Sequence, residues 1–388
     1  MPDVVVIGLG AAGSALVDQL ARRGVDVLGI DRFSPPHDLG STHGETRITR
    51  LAVGEGSTYT PLVQRSHHIW RELEAETGAE LLTLNGCLVL QDAGAGEAHG
   101  AADFLATTVG SARSFSVAIE ELDAAAVRAC FPQFAAAEGT LACFEPGGGF
   151  VRPEAVVAAQ LDSARRHGAE LHTGERVLSL QHLPGGVRIR TERASYDADR
   201  CVLCAGPWLR ALTPPEVASL FTVVPQTLCW FDDASGGHTA DAMPAFIWVL
   251  RGPTLIYGVP QVSGLTPGVK VGTEQFTEAI DPDAGFTAPS GAAARLWEEL
   301  VGPRLPGVGP RTVRTATCLY TVTSDMGFAV DTLPGDDRTL LVSACSGHGF
   351  KHSVGIGEAV AQLLTDGHSD VDLAPFALGR LQAPAGRG

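Results

Sequence analysis

The start of the chain carries a pattern that few folds can accommodate. A β-branched run, Val4–Ile7, is followed at once by Gly8-Leu-Gly10-Ala-Ala-Gly13 and then by apolar residues at helical spacing. A second apolar run ends at Asp31, eighteen residues beyond Gly13. A strand, a glycine turn, a helix, a second strand and an acid in this order predict a βαβ unit that binds a dinucleotide.

Each part of this unit has a physical role. Gly8 permits the tight turn, Gly10 lets the backbone approach a pyrophosphate, and Gly13 lets the helix pack on the strand, while the helix N-terminus faces the phosphate charge. The Asp31 carboxylate can accept from both ribose hydroxyls, which disfavours a 2′-phosphate and therefore NADP. The unit alone does not separate FAD from NAD, so the rest of the chain decides.

The loop that follows the βαβ unit differs from that of a simple NAD dehydrogenase. Such an enzyme would continue with further strand-helix repeats, whereas residues 34–50 form a polar loop that contains Arg47 and Arg50. Two arginines three residues apart in a glycine-containing loop indicate an anionic ligand. Surface arginines in contact with solvent are the alternative.

Composition limits the possible partners. The chain has 388 residues, of which 45% are hydrophobic and 19% charged, which is enough for two domains with sizeable cores. Its 44 acidic and 28 basic residues give a net charge of −16, which argues against nucleic acid or an anionic membrane as a partner. No apolar stretch reaches transmembrane length, and no signal peptide is recognisable, so we expect a cytoplasmic protein.

The cysteines and histidines give no sign of a metal site. Eight cysteines are scattered along the chain, which argues against a disulfide scaffold. Cys201 and Cys204 form a C-x-x-C within an apparent buried strand, without a second pair. The adjacent His67 and His68 would point roughly 100° apart on a helix. We therefore predict no metal site. An isolated cysteine in a strand is most often a small buried apolar residue.

The patterns along the chain predict an α/β (α+β two-domain) fold. Strand-like runs separated by Gly-, Pro- and Asp-rich turns dominate residues 216–315. We therefore expect a Rossmann-like cofactor domain with an inserted, mostly antiparallel β-sheet substrate domain. The cofactor domain is assigned to residues 1–78, 150–215 and 316–388, and the substrate domain to residues 79–149 and 216–315.

Four motifs in sequence order resemble those of a known family. They are Gly8 to Gly13, His43-Gly-Glu-Thr-Arg-Ile-Thr-Arg50, Thr317-Cys-Leu-Tyr-Thr-Val-Thr323 and Ser346-Gly-His-Gly-Phe-Lys351. Together they resemble the monomeric sarcosine oxidase and N-methyltryptophan oxidase family of D-amino-acid-oxidase-like flavoproteins, over essentially the whole chain.

The resemblance implies both the cofactor and the reaction. The family binds FAD covalently through the cysteine of its Cys-x-Tyr-Thr segment, which is Cys318 here; a thiolate can attack a methyl carbon of oxidised flavin because the ring is an electron sink. The implied activity is oxidation of a secondary (N-methyl or cyclic) amino acid, by hydride transfer from the substrate carbon to flavin N5. Water then hydrolyses the imine, and O2 is reduced to H2O2. We expect a monomer.

The resemblance also assigns substrate and catalytic residues. The amine must react as its free base and needs positioning rather than a strong protein base. Arg50 and Lys351 would clamp the substrate carboxylate. Tyr257 and His348 would shape the substrate pocket and the flavin edge.

The resemblance also places two further cations, Arg47 and Lys270, beside the flavin ring. Arg47 would favour the anionic reduced flavin and lower the pKa of the Cys318 thiol, assisting attachment. Lys270 would stabilise superoxide on the far flavin face, although the loop before it is two residues longer than in sarcosine oxidases. The predicted FAD contacts are Gly8, Gly10, Gly13, Asp31, Arg32, Ser41, Thr42, Thr46, Arg47, Val177, Cys318, Gly347, Gly349 and Lys351.

One position departs from the family pattern. Four residues beyond Lys270, sarcosine oxidases have a histidine in the substrate pocket, whereas this chain has Glu274. A carboxylate there changes the pocket charge and can meet an additional cationic or hydrogen-bonding group of the substrate. If the strand register slips by one residue, Glu274 points to solvent instead.

Three alternatives remain open at the level of sequence. The first is oxidation of a larger biosynthetic amine or imine in the same fold, with Trp230 or Trp248 lining a wider pocket. The second is a flavin dehydrogenase that uses an acceptor other than O2. The third is an inert nucleotide-binding protein, against which the retained charged motif residues argue.

Overall fold

The computed structural model describes residues 1–233, 235–252 and 254–382. The helices in these ranges are α1 (Ala11–Arg22), α2 (Thr60–Thr77), α3 (Phe104–Ser114), α4 (Ala124–Cys130), α5 (Pro153–Arg166), α6 (Pro215–Ala218), α7 (Ala292–Leu296), α8 (Ser353–Asp366) and α9 (Gly379–Gln382). The strands are β1 (Val4–Ile7), β2 (Val27–Asp31), β3 (Arg47–Thr49), β4 (Leu82–Thr83), β5 (Cys87–Gln91), β6 (Glu120–Asp123), β7 (Leu141–Glu145), β8 (Gly149–Val151), β9 (Glu170–Thr173), β10 (Val177–Leu183), β11 (Gly186–Thr191), β12 (Ser195–Ala198), β13 (Arg200–Leu203), β14 (Thr222–Asp233), β15 (Ala245–Val249), β16 (Leu255–Val259), β17 (Val269–Thr273), β18 (Val308–Val322), β19 (Ala329–Leu333) and β20 (Asp336–Ser343).

A six-stranded sheet forms the Rossmann-like part, in the order β19-β20-β13-β1-β2-β9. Its strands are parallel except for β19, which pairs antiparallel with β20 at the edge. Helices α1, α5 and α8 pack together on one face, where Leu16 and Leu20 of α1 are buried against Val4 and Val6. The three-stranded antiparallel sheet β10-β11-β12 packs on the other face. The α/β arrangement predicted from the first thirty-one residues is confirmed.

The turn between β1 and α1 requires its glycines for steric reasons. Gly8 has φ +91°, and a Cβ there would lie 2.5 Å from the carbonyl oxygen of Cys204. A Cβ on Gly13 would lie 1.7 Å from the carbonyl oxygen of Gly8. The helix can therefore approach the strand this closely only because both positions lack a side chain.

The second large sheet has eight strands, in the order β18-β14-β17-β16-β15-β5-β7-β6. All of its neighbouring pairs are antiparallel except β5 with β15. Phe231, Phe246 and Trp248 are buried in its hydrophobic core. The predicted mostly antiparallel sheet is confirmed, and its strands come from residues 87–145 and 222–322.

Two predicted domain boundaries fall inside strands. The boundary at residue 150 lies within β8, and the boundary at residue 316 lies within β18, which pairs with β14 from Val308 to Val322. Because β18 is one continuous hydrogen-bonded strand, residues 216–315 and 316–388 are joined within this strand and not by a loop. The division into two domains stays a prediction, and residues 383–388 of the assigned cofactor domain lie outside the described residues.

Other predicted features can be located. In the described ranges no helix combines the length and apolarity that a membrane span needs. Among the same residues, no group of three or more His, Cys, Asp or Glu side chains is placed to hold a metal ion. Cys201 and Cys204 are buried and free.

Candidate active site

A deep cavity lies between the two large sheets. It begins at the carboxyl ends of β1, β2 and β20 and runs to the face of the eight-stranded sheet formed by β15 to β18. Ligands of open α/β sheets bind at such carboxyl ends. All predicted site residues except Gly13 line this cavity: Gly8, Gly10, Asp31, Arg32, Ser41, Thr42, Thr46, Arg47, Arg50, Val177, Tyr257, Lys270, Glu274, Cys318, Gly347, His348, Gly349 and Lys351.

The βαβ end of the cavity has the features of a phosphate and ribose site. Helix α1 begins at the cavity wall, where its N-cap residue Gly10 has no side chain to cap it and Thr42 Oγ1 accepts from the Ala11 N–H at 3.3 Å. Its N-terminus can therefore receive an anion. The Asp31 carboxylate accepts hydrogen bonds from the backbone N–H groups of Leu9 at 2.7 Å and Phe33 at 2.8 Å. Burial raises the pKa of Asp31 despite these two bonds. These residues fit the adenosine and pyrophosphate parts of FAD.

The Arg32 side chain is held by other protein groups and is not free to bind a phosphate. Its Nη1 lies 2.7 Å from Asp283 Oδ1, and its guanidinium lies 5.0 Å from the ring centroid of Trp208. The Trp208 indole N–H donates to the same Asp283 oxygen at 2.7 Å. The segment between β17 and α7 therefore reaches the βαβ end of the cavity, a contact that the sequence did not reveal.

Cys318 lies on β18 at the far end of the cavity, where it is 1% exposed. Burial raises the pKa of its thiol, and the nearby Arg47 lowers it by less. Arg47 thus lowers the thiol pKa as expected, but desolvation outweighs this effect and the net pKa of Cys318 is raised. A second thiol, Cys345, lines the same cavity and also has a raised pKa because of burial. Arg47 itself donates to the carbonyl oxygens of Thr46 and Ser41, each at 2.9 Å.

Lys270 is a buried cavity residue, 4% exposed, and not a surface lysine of β17. Its Nζ donates to the carbonyl oxygens of Gly44, at 3.0 Å, and Thr46. Burial lowers its pKa well below the ordinary value, and Arg47 lowers it further. Among the described residues, no carboxylate forms an ion pair with it. The position of Lys270 would thus allow its ammonium group to interact favourably with a negative charge in the cavity.

Arg50 and Lys351 meet at one carboxylate that the sequence analysis missed. Glu55 Oε2 lies 2.8 Å from Arg50 Nη2, and Glu55 Oε1 lies 3.1 Å from Lys351 Nζ. Burial opposes the charge of Glu55, but Arg50 and Lys351 together hold the pKa of Glu55 well below its ordinary value. Glu55 therefore brings the two predicted clamp cations together, and their binding of a substrate carboxylate stays a prediction. The only sequence signal was an acid five residues after Arg50.

Two further carboxylates position the loop that carries Arg47 and Arg50. The Glu145 oxygens accept from the backbone N–H groups of Leu51, at 2.7 Å, and Ala52, at 2.8 Å. Glu154 Oε1 accepts from the N–H groups of Gly44, at 2.7 Å, and Glu45, at 3.0 Å. Both acids lie about a hundred positions away in the chain, so local patterns did not indicate them.

We predict that carboxylate binding follows the titration of Lys351. Burial lowers the pKa of Lys351 to about 8, although Glu55 opposes this shift. Because the protonated form attracts an anion, the dissociation constant of cyclopentanecarboxylate should rise as the pH increases through about 8. The measurement is titration of the holoenzyme absorbance. In Lys351→Arg, whose charge persists, the curve should be flat over this range, and identical curves in both proteins would contradict the prediction.

The remaining wall of the cavity is formed by aromatic and ionisable side chains. The hydroxyl of Tyr257 lies 3.2 Å from that of Tyr320, a residue that the sequence analysis did not select. Burial raises the pKa of both hydroxyls, so both stay protonated near neutral pH. Burial also lowers the pKa of His348 to about 3, and the Nε2 of this neutral ring lies 3.0 Å from the carbonyl oxygen of Met326.

Glu274 faces the cavity and not the solvent. It follows β17 directly, its side chain is 5% exposed, and its Oε2 lies 2.9 Å from His99 Nε2. The alternative register, in which Glu274 points outward, is therefore wrong. Neither Trp230 nor Trp248 lines the cavity. Trp248 lies in the core of the eight-stranded sheet, and Trp230 is buried beneath Lys270 and Arg314. The two tryptophans named for the alternative with a larger substrate therefore do not line the cavity, whereas Trp208 does.

One family model and several known proteins are similar to this chain. The family model described as DAO, FAD dependent oxidoreductase, matches residues 3–363. Monomeric sarcosine oxidase of Bacillus sp. (strain B-0618) is 33% identical, over 97% of this chain and 96% of that protein. N-methyl-L-tryptophan oxidase of Yersinia pestis (strain Pestoides F) is 32% identical, over 98% and 99%. The open form of NikD, an unusual amino acid oxidase essential for nikkomycin biosynthesis, superposes with a TM-score of 0.82 at 25% identity, over 97% of each chain.

Proposed function

The chain belongs to the DAO family of FAD-dependent oxidoreductases and acts on a CH–NH group, and from this premise we propose that it oxidises a secondary N-methyl or cyclic amino acid. Electrons pass to O2 and yield H2O2, and the imine product is hydrolysed. The FAD is attached covalently through Cys318. The sarcosine and N-methyltryptophan named for the relatives support a small substrate that carries both an amine and a carboxylate.

One observation carries the proposal. The two buried cations Arg50 and Lys351 open into the same cavity as Cys318 and Lys270. A substrate carboxylate bound by Arg50 and Lys351 therefore lies in the same cavity as a dinucleotide bound at the βαβ end. Bound FAD supplies the electron sink of the reaction. The protein residues bind the carboxylate, exclude water and hold the carbon in place, which is the main requirement of this chemistry.

The protonation states in the pocket agree with oxidation of a free amine. His348 is neutral and the Tyr257 and Tyr320 hydroxyls are protonated near neutral pH. These three groups can donate or accept hydrogen bonds without placing a charge beside the amine. These side chains therefore carry no charge that would stabilise the unreactive ammonium form of the amine.

Anaerobic mixing with secondary amino acids tests this function. The flavin of the wild-type holoenzyme should bleach with at least one of sarcosine, N-methyl-L-alanine, L-proline or L-pipecolate, and air should then yield H2O2. Arg50→Met should lower kcat/KM by about a hundredfold, since a charged hydrogen bond to the substrate is lost, with flavin content unchanged. Bleaching without peroxide would indicate another electron acceptor, and unchanged kinetics would remove Arg50 from the site.

A further inference from the structure

A second ion pair, distinct from the clamp, lies in the wall of the cavity. His99 comes from the segment between β5 and α3, and Glu274 follows β17. Their Nε2 and Oε2 atoms are 2.9 Å apart, and their side chains are 7% and 5% exposed. Both approach Gly347, because a Cβ built there would lie 3.2 Å from Glu274 Oε1 and 3.2 Å from His99 Cε1.

The surroundings fix His99 and favour the protonated form of its imidazole. The imidazole packs against the rings of Phe104, Phe276 and His348, with centroids 5.8 to 6.3 Å apart. Burial lowers the pKa of His99, but the adjacent charge of Glu274 opposes this shift, and the net pKa is raised. A buried ion pair costs desolvation free energy and is weak evidence for a purely stabilising role. Its position in the cavity wall indicates a role in ligand recognition.

The reacting amine is a poor partner for Glu274. An ionised carboxylate beside that amine would stabilise its ammonium form, which cannot be oxidised. The substrate carboxylate is also a poor partner, because it would be repelled by Glu274 and attracted by Arg50 and Lys351. A hydrogen-bond donor elsewhere on the substrate meets neither objection, since its bond to a carboxylate is strengthened by the charge.

We propose that Glu274, positioned by His99, is a specificity-determining residue that accepts a hydrogen bond from a second nitrogen of the substrate. The preferred substrates are then secondary amino acids that carry an N–H or ammonium group in addition to the oxidised amine. This inference rests on the proposed amino-acid oxidase function. It adds to that function a substrate class that the histidine of the sarcosine oxidases would not select.

Two ring compounds of equal size test the inference. Piperazine-2-carboxylate differs from piperidine-2-carboxylate by one N–H in place of CH2. The ratio of their kcat/KM values should be about ten to one hundred times larger in the wild type than in Glu274→Gln, which removes the charge but keeps the volume. The two rings differ in basicity, but this difference is the same for every variant and cancels when their kcat/KM ratio is compared between variants. An equal ratio in both proteins would overturn the inference.

Matched variants separate recognition from folding. Glu278→Gln changes an exposed acid of the same segment and should keep the wild-type ratio. His99→Gln keeps a donor toward Glu274 and should retain part of the preference, whereas His99→Phe should lose it. Flavin content reports folding of each variant. If His99→Phe keeps the full ratio, the positioning role of His99 is wrong.

A binding measurement distinguishes failure of this inference from failure of the proposed function. If neither ring reduces the flavin, the oxidase function is contradicted for these compounds. The dissociation constants of the two rings, obtained from the flavin absorbance, then decide the role of Glu274. Tighter binding of the piperazine by the wild type but not by Glu274→Gln supports the inference, and equal binding overturns it.

Discussion

Replacing Cys318 by serine should leave a protein that binds FAD but releases all of it when unfolded in acid. The wild-type polypeptide should remain yellow under the same conditions, because a thioether to the flavin methyl carbon survives unfolding. Serine keeps the size of the side chain but offers no thiolate. The measurement is flavin absorbance in the precipitated protein and in the supernatant, together with the mass of the intact chain.

Cys345→Ser is the matched control for this experiment. Cys345 lines the same cavity, and burial raises its thiol pKa as it does that of Cys318. Besides Cys204 at the βαβ end, the cavity wall thus holds the two neighbouring thiols of Cys318 and Cys345, and the resemblance alone selects one of them. Retained colour in Cys318→Ser with loss of colour in Cys345→Ser would move the attachment to Cys345. Free flavin from the wild type would contradict covalent attachment while leaving FAD binding intact.

Lys270→Met should slow the reaction of the reduced enzyme with O2 by about a hundredfold to a thousandfold. The reason is that a buried donor aimed at developing negative charge contributes strongly in a site without water. Its Nζ is fixed by the Gly44 and Thr46 carbonyl oxygens. The measurement is stopped-flow mixing of the anaerobically reduced enzyme with O2. Anaerobic reduction by substrate should change by less than about threefold.

Lys351→Met provides the crossed control. Both substitutions remove a buried lysine from one cavity, but Lys351 belongs to the carboxylate clamp beside Glu55. Its loss should weaken substrate binding and leave the O2 step nearly unchanged. Since burial lowers the pKa of Lys270, its cationic form is lost at a lower pH than that of an exposed lysine, and the O2 step should slow as the pH rises. Equal effects of both variants on both steps would contradict these separate roles.

The sequence by itself determined the features that depend on neighbouring residues. The glycine turn and its flanking elements form from a few adjacent side chains, so β1, α1 and β2 were predicted closely. Helix α2 likewise has local residues at both of its ends, since Pro61 lies in its first turn and Gly78, at φ +71°, ends it. The four motifs were sufficient to identify the family, and they contain most of the predicted site residues.

Only the tertiary structure decided how the charged groups pair. Glu55 and Lys351 are 296 positions apart, and Lys270 and Gly44 are 226 apart. Such contacts depend on the strand register and on the paths of long loops, which no local pattern specifies. Desolvation is likewise a property of the folded interior, which is why the sequence indicated the lowering effect of Arg47 on the pKa of Cys318 but not the larger raising effect of burial. The same reason applies to His99, whose pairing with Glu274 became apparent only when both lay in one cavity wall.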